Sequence, residues 1–241
     1  MITSRQNPLV KYIRALADKK ARDENGEFIV EGVKSVNEAL CSNFTTSVIV
    51  GTEKGLAQIN PTSARVEVLS EDVFKSVSGE VSPQGVLAVL KKPIYQVEQI
   101  EENCIFLDGV SDPANVGAII RTAAASGYNS VLIADGADAF SPKSVRASMG
   151  GIFRVRIYTG TNENLCNMVK CPFVIADMNG ENVFNFSVSG NLCLVIGNEA
   201  NGISNFMRER ATYTVKIPMQ NGMESLNAGV AAGILMYQLK K

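Results

Sequence analysis

From residue 104 onward, short apolar runs alternate with helix-patterned segments, and few architectures satisfy that alternation. The runs are CIFLDGV, SVLIAD, RVRIYT, FVIADMNG, LCLVIGNEA and TYTVKIPM. Helices are predicted between them over residues 115–126, about 143–149 and 162–169, and a last helix closes the chain. A strand that is apolar on both sides must be covered on both faces, and helical crossovers join parallel neighbours. The pattern therefore predicts an α/β fold with a parallel sheet. In such sheets ligands bind beyond the carboxyl ends of the strands.

The preceding residues read differently. Strand candidates FIVEG, TSVIVG, ARVEVL and GVLAVL, with helical stretches from Val33 to Leu40 and Glu71 to Val77, predict a smaller α/β domain ending near Pro93. The segment IYQVEQIEEN has the composition of a linker or short helix, which sets the domains at 1–97 and 98–241. A further helix is predicted from Asn7 to about Ala21, with Val10, Ile13, Leu16 and Ala17 at helical spacing. Arg5, Lys11, Arg14, Lys19, Lys20 and Arg22 surround it against one acid, Asp18, although the net charge of the whole chain is only −1. Such a face suits RNA phosphates; a solvated helix surface is the alternative. Arg146, Arg154 and Arg156 continue the positive charge in the second part. With no cluster of aromatics of the kind that stacks single strands, a structured RNA is the expected partner.

The chain contains no histidine. Histidine triads, histidine-ligated zinc and imidazole bases are thereby excluded, and no metal is expected. Cys41, Cys104, Cys166, Cys171 and Cys193 form no CxxC pair and read as reduced, buried thiols, with Cys41 the most doubtful of them. No apolar run reaches the ~18 residues of a membrane span, and no signal-peptide core opens the chain, so a soluble cytoplasmic protein without a membrane partner is expected. Neither G-x-G-x-x-G nor G-x-x-x-x-G-K-[ST] occurs.

Three loops carry unusual chemistry. In DGVSDPANVGAIIRTAAASG, Pro113 and Gly117 shape a turn into a helix; Asn115 is either its cap or a site residue, and Arg121 either a surface charge or a ligand clamp. In IGNEANGI, Asn201-Gly202 is a turn signal, while Glu199 has no structural reason to be there. In PMQNGMESLNAGVAAGILMYQL, a polar loop runs into a helix too apolar to face water, and Ser225 or Asn227 could serve as its cap.

Taken together and in order, NVGAIIRTAAASG, LVIGNEANGIS and IPMQNGMESLNAGVAAGILMYQ resemble the motifs of the SpoU-class (TrmH-like) RNA ribose 2′-O-methyltransferases of the SPOUT superfamily. SRQNPLVKYIRALADKKARDENGEFIVEGVKSVNEAL and SPQGVLAVLKKP are similar to that family's N-terminal RNA-binding domain, of ribosomal L30e-like fold. The resemblance implies a C-terminal trefoil knot, a homodimer that buries the last helix, and S-adenosylmethionine as cofactor. Its contacts would fall at Ala176, Asp177, Met178 and Gly180, at Ile196, Gly197 and Asn198, and at Ile217, Pro218, Met219 and Leu226. Gly197 and Gly222 would let main chain approach the ligand.

Methyl transfer from a sulfonium is an in-line displacement, so the ribose oxygen must be held about 3 Å from the methyl carbon and must lose a proton. The resemblance implies Arg121 as proton acceptor. A guanidinium stays protonated, so Arg121 is better read as a clamp on ribose oxygen and phosphate, with phosphate or water taking the proton. Asn115 would hold Arg121 or the ribose, Glu199 would orient that arginine or the substrate, and Ser225 and Asn227 would fix the third loop and the nucleotide. The expected substrate is ribosomal RNA. The alternatives are a tRNA methyltransferase, a catalytically silent RNA-binding assembly factor of the same fold, and a small-molecule enzyme with a nucleotide cofactor.

Overall fold

Two separate sheets form, matching the two patterns in the sequence. A computed structural model describes residues 1–96 and 99–240, so the boundary expected at residues 97 and 98 lies outside the described residues. Before residue 95 the elements are α1 (Pro8–Ala15), α2 (Lys19–Asn25), β1 (Glu27–Glu31), α3 (Val33–Leu40), β2 (Thr46–Gly51), α4 (Glu53–Leu56), β3 (Val66–Val68), α5 (Glu71–Lys75) and β4 (Val86–Lys91). The later elements are β5 (Cys104–Asp108), α6 (Pro113–Ser126), β6 (Ser130–Ala134), α7 (Pro142–Ala147), β7 (Arg156–Gly160), α8 (Asn162–Met168), β8 (Phe173–Asn182), β9 (Cys193–Gly197), α9 (Asn205–Arg210), β10 (Tyr213–Lys216) and α10 (Ala228–Leu239). Of these, α4 and α9 carried no sequence expectation.

The first unit comprises Met1–Ile94 together with Phe140–Phe153. Its strands run in the order β1-β4-β2-β3, with only the β2–β3 pair parallel. On one face Ile29, Val48, Val50, Leu87 and Val89 pack with Val10 and Ile13 of α1, with Leu16 just after it, and with Val73 and Phe74 of α5. On the other, Phe28 meets Phe44 and Phe140 at ring-centroid distances of 6.0 and 4.9 Å, and Phe44 meets Phe153 at 5.3 Å. Sequence order grouped residues 140–153 with the second part, but the apolar cover that β1 requires draws them into this unit.

The helix expected over residues 7–21 breaks in two. Asn7 caps α1 through its side chain, with Pro8 in the first turn. At the far end Arg22 turns back and donates to the carbonyls of Leu16 and Ala17 at 2.9 and 2.6 Å, taking acceptors that a continuous helix would use internally.

The second unit is Tyr95–Ala139 with Arg154–Lys241. Its six strands run β10-β8-β9-β5-β6-β7, and every neighbouring pair is parallel, as the apolar runs predicted. In register, Asp108 of β5 lies opposite Ala134 of β6 and Gly197 of β9, so three strands deliver their following loops at one level. Cys104, Cys166, Cys171 and Cys193 are buried and Cys41 is exposed. Helix α10 buries Ala228, Ala232, Leu235, Met236 and Leu239 but leaves Val230 and Tyr237 about half exposed, at 52% and 58%, so one chain alone does not enclose it. Among the described residues no helix is long and apolar enough to cross a membrane.

Removing the ring of Phe140, which is 6% exposed, leaves Phe28 facing a void. We expect Phe140→Ala to lower the unfolding free energy by about 3–5 kcal/mol in urea titrations.

Candidate active site

The loop after β5 sets the geometry. Asp112 caps α6, accepting from the Ala114 N–H at 3.0 Å, with Pro113 in the first turn. Asn115 is therefore not the cap and projects from the first turn, 7% exposed. A buried amide requires partners, and both ends of this one have them. Its Nδ2 donates to Glu199 Oε1 at 2.9 Å, and its Oδ1 accepts from Asn227 Nδ2 at 2.9 Å. Asn227 in turn caps α10, accepting from the N–H groups of Gly229 and Val230. One residue from each of the three loops thus enters a single bonded chain.

Glu199 is the most heavily bonded member. Besides Asn115 it accepts from the Ser111 N–H at 3.0 Å, the Ser111 hydroxyl at 2.9 Å and the Asp112 N–H at 3.2 Å. Burial pushes its carboxyl up, but the Ser111 N–H, the Asn115 amide and the Asp112 N–H outweigh that and hold it down at about 2. The loop that carries it is pinned on either side. Asn198 Nδ2 donates to the Gly109 carbonyl at 2.7 Å, and the Ser204 N–H donates to the buried Asp108 carboxylate at 2.7 Å. Asn198 and Gly202 exchange backbone bonds, with Gly202 at φ +67°, which is the turn that Asn201-Gly202 predicted.

Beside this junction lies a cavity of about 500 Å³ lined by Ala176, Asp177 and Met178, by Val215 to Met219, by Met223 to Leu226, and by Ala231 and Leu235. One wall arises from an interruption of the β8–β10 ladder. Ile175 pairs with Thr214, but the next residue of β10, Val215, pairs with Glu181, so residues 176–180 leave the ladder. The excursion returns at Gly180, where a Cβ would stand 2.5 Å from Val215 main chain. Within it Asp177 accepts from the Asn179 N–H at 3.0 Å and pairs with Arg208 at 2.6 Å.

The expected site residues separate accordingly. Asn115, Glu199 and Asn227 are brought together, and Ser225 lines the cavity rather than capping α10. Arg121 is exposed on α6 and, among the described residues, bonds to none of them. Of the expected cofactor contacts, Ala176, Asp177, Met178, Ile217, Pro218, Met219 and Leu226 line the cavity. Ile196, Gly197, Asn198 and Gly180 do not. Gly197 is instead pressed by main chain of its own loop, since a Cβ there would stand 2.3 Å from Gly202. Gly222 has open space around it, and its φ of +72° favours glycine there whatever approaches it.

The basic residues separate too. Arg5, Lys11 and Arg14 are exposed. Lys19 and Lys20 are exposed but pair along α2 with Asp23 and Glu24. Arg22, at 3% exposure, closes α1 and is not available to RNA. Arg146 is ion-paired with Glu80, and Arg156 with Glu102. Sequence reasoning missed the donors Ser111 and Asp112 and the cavity residues Met223 and Glu224, all of which stand inside the quoted motifs. It also missed Arg208, which nothing in the sequence marks.

The depressed Glu199 carboxyl makes this junction pH-dependent. Its folded value of about 2 lies below the ordinary 4.5, so its stabilisation is complete above about pH 4.5 and is lost as pH falls toward 2. We expect Glu199→Gln to lower unfolding free energy at pH 7 by about 1–2 kcal/mol, allowing for solvent screening. The difference from the parent should shrink below pH 4.5 in denaturation curves recorded across pH.

Residues 102–237 match the SpoU rRNA Methylase family, and residues 7–88 match the MRM3-like substrate binding domain. The chain is 32% identical to a 23S rRNA (guanosine(2553)-2′-O)-methyltransferase of Bacillus subtilis, over 99% of this chain and 98% of the relative. It is 29% identical to a 23S rRNA (uridine(2479)-2′-O)-methyltransferase of Streptomyces viridochromogenes, over 98% and 90% respectively. An AdoMet-bound rRNA methyltransferase from Sinorhizobium meliloti matches the structure with a TM-score of 0.88 at 30% identity, covering 98% of this chain and 95% of that one. The ordered loops, the cavity beside them and these matches have one explanation: the chain belongs to the SpoU rRNA methylase family.

Proposed function

We propose that this protein transfers the methyl group of S-adenosylmethionine to a ribose 2′-hydroxyl of ribosomal RNA. The observation that carries the reading is that cavity and junction share one loop. Ser225 and Leu226 line the cavity, and Asn227, next in the chain, is bonded to Asn115. The residues present fit the cofactor. The volume of about 500 Å³ lies in the range of small-molecule sites. Met178, Met219, Met223 and Leu226 offer apolar surface, and Ile217 to Met219 continue past the end of the β10 ladder, where main chain can meet a nucleoside. Ribosomal RNA is preferred to transfer RNA because the relatives in Bacillus subtilis and Streptomyces viridochromogenes are named for 23S rRNA.

Bound S-adenosylmethionine supplies a methyl carbon made electrophilic by its sulfonium. The chain's task is to position the ribose oxygen and stabilise the charge that develops on it. Arg121 is exposed and has no partner among the described residues, so its guanidinium is available to clamp ribose oxygen and phosphate. The proton passes to phosphate or water. Asn115 and Glu199 act as scaffold: Asn115 is bonded at both ends, and a carboxyl held at about 2 is no base at neutral pH. Arg5, Lys11 and Arg14 contact RNA phosphates, and the last two stand in the part of the chain that matches a substrate binding domain.

The finer architecture belongs to the same proposal. Val230, Ile234 and Tyr237 fall on one stripe of α10, and the exposure of Val230 and Tyr237 supports a homodimer that covers them. Pinning of the loop 198–204 to the β5–α6 loop, with Asn227 bonded into the junction, supports threading of the C-terminal segment as a trefoil knot. The proposed place of action is the cytoplasm.

With labelled S-adenosylmethionine and ribosomal RNA, Arg121→Ala is expected to lose about 10²–10³-fold in kcat while cofactor affinity holds. Arg121→Lys retaining near-full activity at pH 7 would refute the clamp. Mapping ribose methylation in RNA from cells with and without the gene tests the whole reading, and identical maps would reject it. Removing one phosphate contact, as in Arg14→Ala, should reduce the slope of log affinity against log salt by about 0.7–0.9.

A further inference from the structure

We infer that Arg208 is a positioning residue for the cofactor: through Asp177 it holds the excursion of β8 that walls the cavity. The inference rests on the reading of that cavity as the S-adenosylmethionine site. A stretch that leaves its ladder gives up the register that fixes main chain, so its shape must be set by other bonds. Residues 176–180 are such a stretch, and Ala176, Asp177 and Met178 from it face the cavity.

The Asp177 side chain, only 10% exposed, sets that shape from two sides. One carboxylate oxygen accepts from the Asn179 N–H inside the excursion, at 3.0 Å. The other is 2.6 Å from Arg208 Nη2, which belongs to a different element, α9. Arg208 is itself aimed, because its Nε donates to the Ile203 carbonyl at 3.2 Å. Helix α9 is fixed beneath it by Met207, which is fully buried, and by the Ser204 cap. The wall of the cavity is thus tied to the end of the pinned loop that begins at Asn198, and Arg208 is the tie. Burial raises the Asp177 carboxyl, but the Asn179 N–H and Arg208 together bring it below the ordinary range, consistent with an ionised partner in the pair.

An arginine on a short exposed helix that served stability alone would show its loss in unfolding. A tie on the wall shows it in cofactor binding. Calorimetric titration of S-adenosylmethionine into the full chain separates the two, with Arg208→Ala, Arg208→Lys, Asp177→Asn and the Ala/Asn double variant. We expect Arg208→Ala to weaken binding about five- to twentyfold, with the double variant no weaker than Asp177→Asn alone. At saturating cofactor kcat should stay within about twofold of the parent, Tm should change little, and Arg208→Lys should recover most of the affinity. Unchanged or tighter binding by Arg208→Ala, or a fall in kcat at unchanged KM, overturns the inference. Failure of the parent protein to bind S-adenosylmethionine would instead overturn the reading of the cavity, and the inference with it.

Discussion

The Glu199 carboxylate is the joint on which the second unit depends. It collects four donors from Ser111, Asp112 and Asn115, residues more than eighty positions earlier in the chain. Two of those donors are the main-chain N–H groups of Ser111 and of the cap residue Asp112, just ahead of α6, which would otherwise need water. A carboxylate suits them because it accepts on both oxygens and carries the charge that helix starts favour. Aspartate would fall one methylene short of the same donors, and glutamine would offer a single acceptor oxygen. The charge also fixes Asn115. With its amide nitrogen drawn to the carboxylate, its oxygen is left to face Asn227 Nδ2, and a flipped amide would set donor against donor.

That orientation propagates to the cavity through α10. Asn227 both receives the junction and caps the helix, so the start of α10 and the residues just before it, Ser225 and Leu226, are located by the same bonds. The helix packs close to α6 there: a Cβ at Gly229 would lie 3.4 Å from Ala118 Cβ, and one at Gly233 would lie 3.8 Å from Thr122, both at ordinary contact distance. The opposite wall is held by an independent pair, Arg208 with Asp177. The polar junction and the apolar cavity are therefore two ends of one construction.

Much of this was legible in the sequence, for reasons that vary by element. The six parallel strands were readable because continuous apolar runs leave no solvent face, although nothing in a run states its neighbour, and the order β10-β8-β9-β5-β6-β7 was not readable. Asn115 was open to reading as a cap until Asp112 was seen to occupy that role. Arg22 looked like part of a basic face because composition does not reveal a side chain that folds back onto its own preceding turn. Gly197 illustrates the same limit. Its lack of a side chain was legible, but whether ligand or chain fills the space is a tertiary fact, and the chain fills it. FVIADMNG read as one strand, yet everything after Ile175 in it leaves the ladder, because pairing register is set by β10 rather than by local pattern.

The chemistry narrows once the bonds are counted. A chain without histidine must obtain its proton acceptor elsewhere, and Glu199, the carboxylate at the junction, is already saturated with donors and held at about 2. Protonating it at neutral pH would break the bonds that assemble the site, so a mechanism using it as base would dismantle its own scaffold with every turnover. In the proposed reading, rate enhancement comes from geometry and field. The ribose oxygen is aligned with a methyl already activated by positive sulfur, and Arg121 stabilises the charge on that oxygen as its proton leaves. Such a site depends on rigidity more than on basicity, and rigidity is what the linked bonds of Glu199, Asn115 and Asn227 supply.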